Sequence, residues 1–198
     1  MRLSEAKRDH YRKLAKEEGY SSRASYKLLQ INSKYKILRS GHYVIDFGCA
    51  PGGWLEVASK EVSDSGCVIG IDKKPVKTSL GNVKFLCMDV FDISMEERIL
   101  RLCGRKGDVV LSDLAPNVSG IWEIDHAKQI DLCRRVLEML PNILARGGTA
   151  VLKVFEGPSF KNFLGEVKRK FAYVTIEKPL ASRGASSEFY LVCKNYLA

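Results

Sequence analysis

No two cysteines of this 198-residue chain form a C-x-x-C pair, and no histidine cluster accompanies the six thiols at positions 49, 67, 87, 103, 133 and 193. That argues against a zinc site and against a disulfide framework, so no metal is expected. Most of the thiols read as small core residues, with Cys67, Cys87 and Cys193 in or beside apolar strands. Long apolar runs are missing too. None approaches the ~18 residues of a membrane span, and the opening M-R-L-S-E-A-K-R-D-H lacks the apolar stretch of a signal peptide. A soluble cytoplasmic protein, with no membrane partner, is the expectation. Acidic residues are in deficit, 23 against 32 lysines and arginines, for a formal charge of +9; the excess points to an anionic polymer as partner. Repeats, linkers and low-complexity tracts are absent, and 198 residues with 45% hydrophobic content suit one domain over 1–198 better than two.

What is present is organised around Tyr43 to Leu55, Y-V-I-D-F-G-C-A-P-G-G-W-L. Tyr43, Val44, Ile45 and Phe47 have the length and character of a buried parallel strand. Gly48 to Gly53 follow as a turn with little side-chain bulk, and Trp54 opens a helical pattern. At the carboxyl end of a central strand, glycines such as Gly48, Gly52 and Gly53 let the backbone approach a ligand, and the helix N-terminus offers free N–H groups. A nucleotide-like cofactor is the first expectation. Pyrophosphate is disfavoured, because Ala50 replaces the second glycine of G-x-G-x-x-G and Pro51 sits where phosphate-facing amides are wanted. A second strand, Cys67 to Ile71, ends on Asp72, about 20 residues on, where a carboxylate can accept from a ribose diol. A third, Val83 to Met88, ends on Asp89. Acids ending successive strands at one edge suit an adenosine without phosphate. Cys49, within the turn, is left with two readings, a small core residue or a non-catalytic ligand contact.

Further along, the alternation is βαβα. Helices are expected at Met95–Cys103, within Ile121–Leu144 and at Phe160–Phe171. Strands are expected at Val109–Leu111, Ala150–Leu152, Tyr173–Ile176 and Phe189–Cys193. Seven strands spaced by helices predict an α/β fold, a mostly parallel sheet covered on both faces. The last two strands, joined only by a loop, should form an antiparallel hairpin at one edge. The first forty residues form a basic extension of two helices, Ser4 to Glu18 and a second that Ser21 or Ser22 would cap and that ends before Gly41. Tyr26, Leu29 and Ile37 would dock the second helix, while Tyr11 and Tyr20 interleave with the charges in a way that suits RNA. Two residues then stand out. Asp113 follows the fourth strand in S-D-L-A-P-N, a segment that could also be a simple turn. Lys153 ends the apolar fifth strand in V-L-K-V-F-E-G, where an ammonium is costly unless paired or unless its stem reaches solvent.

Five segments, S-R-A-S-Y-K-L-L-Q-I (22–31), D-F-G-C-A-P-G-G-W (46–54), L-S-D-L-A-P-N-V-S-G (111–120), V-L-K-V-F-E-G (151–157) and S-R-G-A-S-S-E-F-Y (182–190), resemble in order and spacing the FtsJ/RrmJ-type ribose 2′-O-methyltransferases. The resemblance implies a Rossmann-like class I methyltransferase fold and S-adenosylmethionine as cofactor. It implies a Lys-Asp-Lys-Glu tetrad, which falls on Lys27, Asp113, Lys153 and Glu188, and cofactor contacts at Gly52, Trp54, Asp72, Asp89 and Asp113. It implies ribosomal RNA as substrate, a uridine of the large-subunit RNA, with transfer RNA the second candidate. Cys49 stands where related sequences often carry alanine. No RNA-binding domain is appended, so the catalytic domain and the basic helices would hold the RNA; a monomer is expected.

Methyl transfer to a ribose hydroxyl is an in-line displacement that needs the oxygen oriented and its developing charge stabilised. Lys153 could serve as a neutral base or as an ammonium that holds the oxyanion while Asp113 or water takes the proton. Two other classes are weighed. A nicotinamide dehydrogenase conflicts with Ala50-Pro51 and lacks a recognisable hydride-transfer partner; a non-catalytic RNA-binding or assembly protein would be expected to have lost tetrad members.

Overall fold

Residues 10–11, 13–182 and 187–198 are described by the computed structural model. Its seven strands are β1 Tyr43–Phe47, β2 Cys67–Asp72, β3 Val83–Cys87, β4 Gly107–Ser112, β5 Leu144–Phe155, β6 Phe171–Glu177 and β7 Glu188–Tyr196. They form one sheet in the order β3-β2-β1-β4-β5-β7-β6, in which β1 to β5 pair in parallel and β7 runs antiparallel to both β5 and β6. The expected hairpin exists, but its second strand lies inside the sheet and β6 alone forms that edge.

Both faces are covered, which is why the central strands read as near-continuous apolar runs. Alternate residues go to opposite sides. Ile45, Phe47, Ile69, Val110 and Leu152 meet α3 (Met95–Cys103), α4 (Trp122–Ile143) and α5 (Phe160–Lys168). Val44, Val68, Leu111, Val151 and Tyr190 meet α1 (Ala24–Tyr35) and α2 (Gly53–Val62). Chain order reverses between β1 and β4, and there Phe47 lies beside Ser112 in register. The next residues, Gly48 and Asp113, therefore flank the crevice where open α/β sheets bind ligands.

Local departures from the sequence reading have physical causes. Neither Ser21 nor Ser22 caps α1; Arg23 holds the N-cap position, and no side-chain capping hydrogen bond forms there. The helix stops at Tyr35 because Lys36 turns left-handed, φ 50°, several residues before Gly41. Its docked face is Leu28 and Ile31, which with Ile37 are fully covered, while Tyr26 and Leu29 are half-buried. Tyr11 and Tyr20 pack on Tyr26 at 5.4 and 6.1 Å, and Gln30 Nε2 donates to Tyr11 Oη, so these rings tie the first segment to α1. Arg8 and Arg12, two cations of that basic segment, lie outside the described residues. Phe171 belongs to β6 rather than to α5, with its ring on Tyr196. Cys87 is exposed because β3 is an edge strand. Among the described residues no helix is long and apolar enough to cross a membrane, and no group of three or more His, Cys, Asp or Glu could hold a metal ion.

Candidate active site

The glycine turn is shaped by close approach. Gly48 has φ 76°, and a Cβ there would come within 2.8 Å of Leu114 N, so a side chain would push the turn off the β4 loop. Gly52, at φ 118°, opens α2. Asp72, at the end of β2, accepts from Ala50 N at 2.9 Å and Lys74 N at 2.8 Å, which fixes its carboxylate against the turn. A cavity of ≈ 310 Å³ lies between these parts, lined by Gly48, Ala50, Asp72, Met88, Asp113 and Leu114 among others. Its size, its backbone-lined floor and the carboxylate at its rim fit an adenosine-type cofactor.

The other expected cofactor residues are arranged differently. Gly52 lines a neighbouring cavity with Tyr20 and Val76. Gly53 packs against Ser22 and Ser25 of the α1 entry. Trp54 is buried, donates Nε1–H to Ala24 O at 2.8 Å and lies against Tyr190, so it braces α1. Asp89 is half-exposed beside Met88 and Val90 of the cavity wall, and its bond to Lys73 at 2.6 Å holds its carboxyl below the usual range. Cys49 is buried beneath the turn against Leu55 and Gly70, where burial pushes its thiol far up.

The four tetrad candidates come from α1, the β4 loop, β5 and β7, and they meet. Lys27, only 8% exposed, is ion-paired to Glu188 and also donates to Tyr190 Oη at 3.2 Å. The Tyr190 hydroxyl donates to Asp113 Oδ1 at 2.7 Å. Lys153, 6% exposed, donates to Asp113 O at 2.6 Å and stands 3.2 Å from Asp113 Oδ1. Two acid–ammonium pairs are thus joined through one phenol. Register explains the convergence: Lys153 lies opposite Tyr190 and Phe155 opposite Glu188 in the β5–β7 ladder, so those side chains share a face. α1 is held over them by Lys34 and Tyr35 bonding Glu177 at 2.6 Å each and by Ala181 N bonding Gln30 Oε1. Burying two lysines is tolerable only because each has an acid and further acceptors.

Sequence reasoning missed four further residues. Tyr190 is fully buried; burial, with the charges of Asp113 and Glu188, pushes its hydroxyl well above the usual phenol range, so it remains a donor. Gln129 of α4 is also fully buried, and its amide donates to Lys153 O at 2.8 Å and Leu114 O at 3.2 Å, tying together the backbones that carry Lys153 and Asp113. Cys133, one turn on, donates to the same Lys153 carbonyl at 3.1 Å; burial pushes its thiol up to about 12, so the proton stays. Asp46 lies in β1 just before the turn, wholly buried, and neither carboxylate oxygen has a hydrogen-bond partner. Burial and the charges of Asp113 and Asp72 push its carboxyl well above the usual range, which favours its neutral form beneath the turn.

The sequence model of the FtsJ-like methyltransferases matches residues 20–196. The chain belongs to this family. Among relatives of this FtsJ-like chain, the ribosomal RNA large subunit methyltransferase E of Nitrosopumilus maritimus is 44% identical over 197 residues, 100% of each chain. That of Methanothermobacter thermautotrophicus is 41% identical over 194 residues, 98% of this chain and 92% of the relative. A Plasmodium falciparum crystal structure, provisionally described as a ribosomal RNA methyltransferase, superposes with TM-score 0.82 at 30% identity, covering 90% of this chain and 100% of that one. Aeropyrum pernix fibrillarin, solved with natively bound S-adenosyl-L-methionine, has TM-score 0.58 at 12% identity over 88% of this chain and 75% of its own, and shares the fold. The fold is the Rossmann-like methyltransferase fold.

Proposed function

We propose that this chain transfers the methyl group of S-adenosylmethionine to a ribose 2′-hydroxyl of RNA, a uridine of large-subunit ribosomal RNA. The observation that carries the reading is the convergence of Lys27, Asp113, Lys153 and Glu188, joined through Tyr190, at the crevice edge beside the glycine turn. The names of relatives 41–44% identical over almost the whole chain support ribosomal over transfer RNA, and the charge of +9 supports a polyanionic substrate.

The cofactor would lie over Gly48 with Asp72 and Asp113 at its rim, and when bound it supplies a methyl group on a sulfonium leaving group. The ribose oxygen attacks in line; the new O–C bond forms as the S–C bond breaks, and the hydroxyl proton must leave. Lys153 Nζ faces two acceptors, Asp113 O and Oδ1, as an ammonium donor does, and has one N–H left for the sugar oxygen. In this reading Lys153 orients the hydroxyl and stabilises its developing charge, and Asp113 or a water takes the proton. Lys27 and Glu188 hold the other side of the ribose, with Tyr190 keeping the two pairs in register.

Lys153→Ala tests this directly. Turnover on RNA is expected to fall by roughly two to three orders of magnitude, the cost of removing a donor to a developing oxyanion, while cofactor affinity stays within about twofold. Retained turnover would refute the assignment.

A further inference from the structure

Four large apolar residues between β4 and the second turn of α4 are left out of the core. Val118, Ile121, Trp122 and Ile124 are exposed, Trp122 to 41%. The Trp122 ring lies nearly parallel to that of Phe155, at 5.9 Å and 22°, and to that of His126, at 6.2 Å and 28°. With 41% of Trp122 exposed beside these two rings, part of its indole surface is open to solvent.

The support beneath it is fixed. His126 is buried, its Nε2 accepts from Ser159 N at 3.1 Å, and Gly157 lies so close that a Cβ there would fall 2.6 Å from the imidazole. Asp125 folds the preceding loop back by accepting from Ser119 N, Ser119 Oγ and Gly120 N. The ledge is also beside the chemistry: Phe155 stands directly across from Glu188 and two residues beyond Lys153 on the same ladder face, about 7 Å along the strand.

Resting on the RNA reading above, we propose that the exposed indole surface of Trp122, flanked by Phe155 and His126, is a stacking site for a nucleobase flanking the methylated ribose. The occupant follows from position and chemistry. A strand whose ribose sits at Lys153 carries its neighbouring base within reach of this ledge, a flat aromatic surface matches a base rather than a sugar or phosphate, and the chain's net charge of +9 offsets the backbone charge. Bases so bound are unstacked from their neighbours, which makes the site selective for single-stranded or flipped-out segments.

The two tryptophans of the chain separate cleanly, since Trp54 is buried and Trp122 is not. Adding a short single-stranded oligoribonucleotide to the intact protein is expected to quench tryptophan fluorescence, and its abasic ribose-phosphate counterpart should quench far less. Trp122→Phe keeps a ring and removes the reporter: the quench should vanish while KM for RNA stays within about twofold. Trp122→Ala should raise that KM roughly tenfold, the weight of one stacked base, at unchanged cofactor affinity. A quench that persists in Trp122→Phe, or an unchanged KM in Trp122→Ala, as a protein-docking role for this patch would give, overturns the proposal. Absence of methyl transfer to RNA by the unaltered protein would instead strike the function proposed above, and the oligonucleotide quench would still decide whether bases stack here.

Discussion

Replacing Asp46 by asparagine tests whether a neutral acid sits under the cofactor turn. The side chain is fully buried, both oxygens lack partners, and the charges of Asp113 and Asp72 act on it, so its folded pKa lies well above the value of about 3.9 that it regains on unfolding. Between those two pKa values the native state holds one more proton than the unfolded state. Stability must then fall as pH rises through the window, with a slope of about 1.4 kcal/mol per pH unit from this one group. Below pH ~4 both states are protonated and the contribution is flat; above the folded pKa it levels again at its full penalty. Asparagine does not titrate, so Asp46→Asn removes the slope. Other titrating groups do not obscure this. His42 and His126, pushed down by burial, and Asp89, held low by Lys73, lose stability toward acid in both proteins and cancel in the difference. The assay is urea denaturation at a series of pH values, comparing extrapolated unfolding free energies at equal m-values. The difference, variant minus wild type, should climb by about 1.4 kcal/mol per unit above pH ~4 and then plateau, the bend marking the folded pKa. A difference that is flat with pH would refute the argument.

Other residues give shorter tests. Asp72→Ala frees the Ala50 and Lys74 amides and should raise the cofactor Kd about tenfold or more by calorimetry, with kcat at saturating cofactor changed much less. Gln129→Leu fills the same space but drops the bonds to Lys153 O and Leu114 O; kcat should fall roughly five- to tenfold while KM for the cofactor moves less than about twofold. A purely structural role would lower the melting temperature without that split. Tyr190→Phe removes the phenol that links Lys27 to Asp113 and should cost about 1.5–3 kcal/mol in denaturation experiments, the range for hydrogen bonds to charged groups.

The parts of the site carried by short local patterns were legible before the structure. The Tyr43–Phe47 strand, the glycine turn and the acid of β2 lie within one strand–turn–helix unit and its successor, where periodicity and turn chemistry speak directly. The antiparallel insertion of β7 between β5 and β6 was not, because strand order depends on contacts remote in sequence. The end of α1 was bounded only as lying before Gly41, because Lys36, which stops the helix, adopts a positive φ that no glycine or asparagine announces. Tyr190 hid within F-Y-L-V-C as one more apolar residue; the available signal was that a buried tyrosine hydroxyl needs a partner. Gln129 was legible in principle, since it falls on the α4 stripe with His126, Cys133, Val136 and Leu140, where a polar side chain must answer to something buried. Trp54 was read toward the cofactor, but the turn that delivers it rotates its indole under α1.

Four residues on α1, β4's exit, β5 and β7 are proposed to act together on one sugar oxygen. The most direct test is to incubate the protein, and separately Lys153→Ala, with tritiated S-adenosylmethionine and total RNA, then digest the RNA to nucleosides. Label is expected in a 2′-O-methyl nucleoside, uridine from large-subunit ribosomal RNA, with the unaltered protein, and none with Lys153→Ala despite normal cofactor binding. Label on a base, or equal label from both proteins, would contradict this joint action.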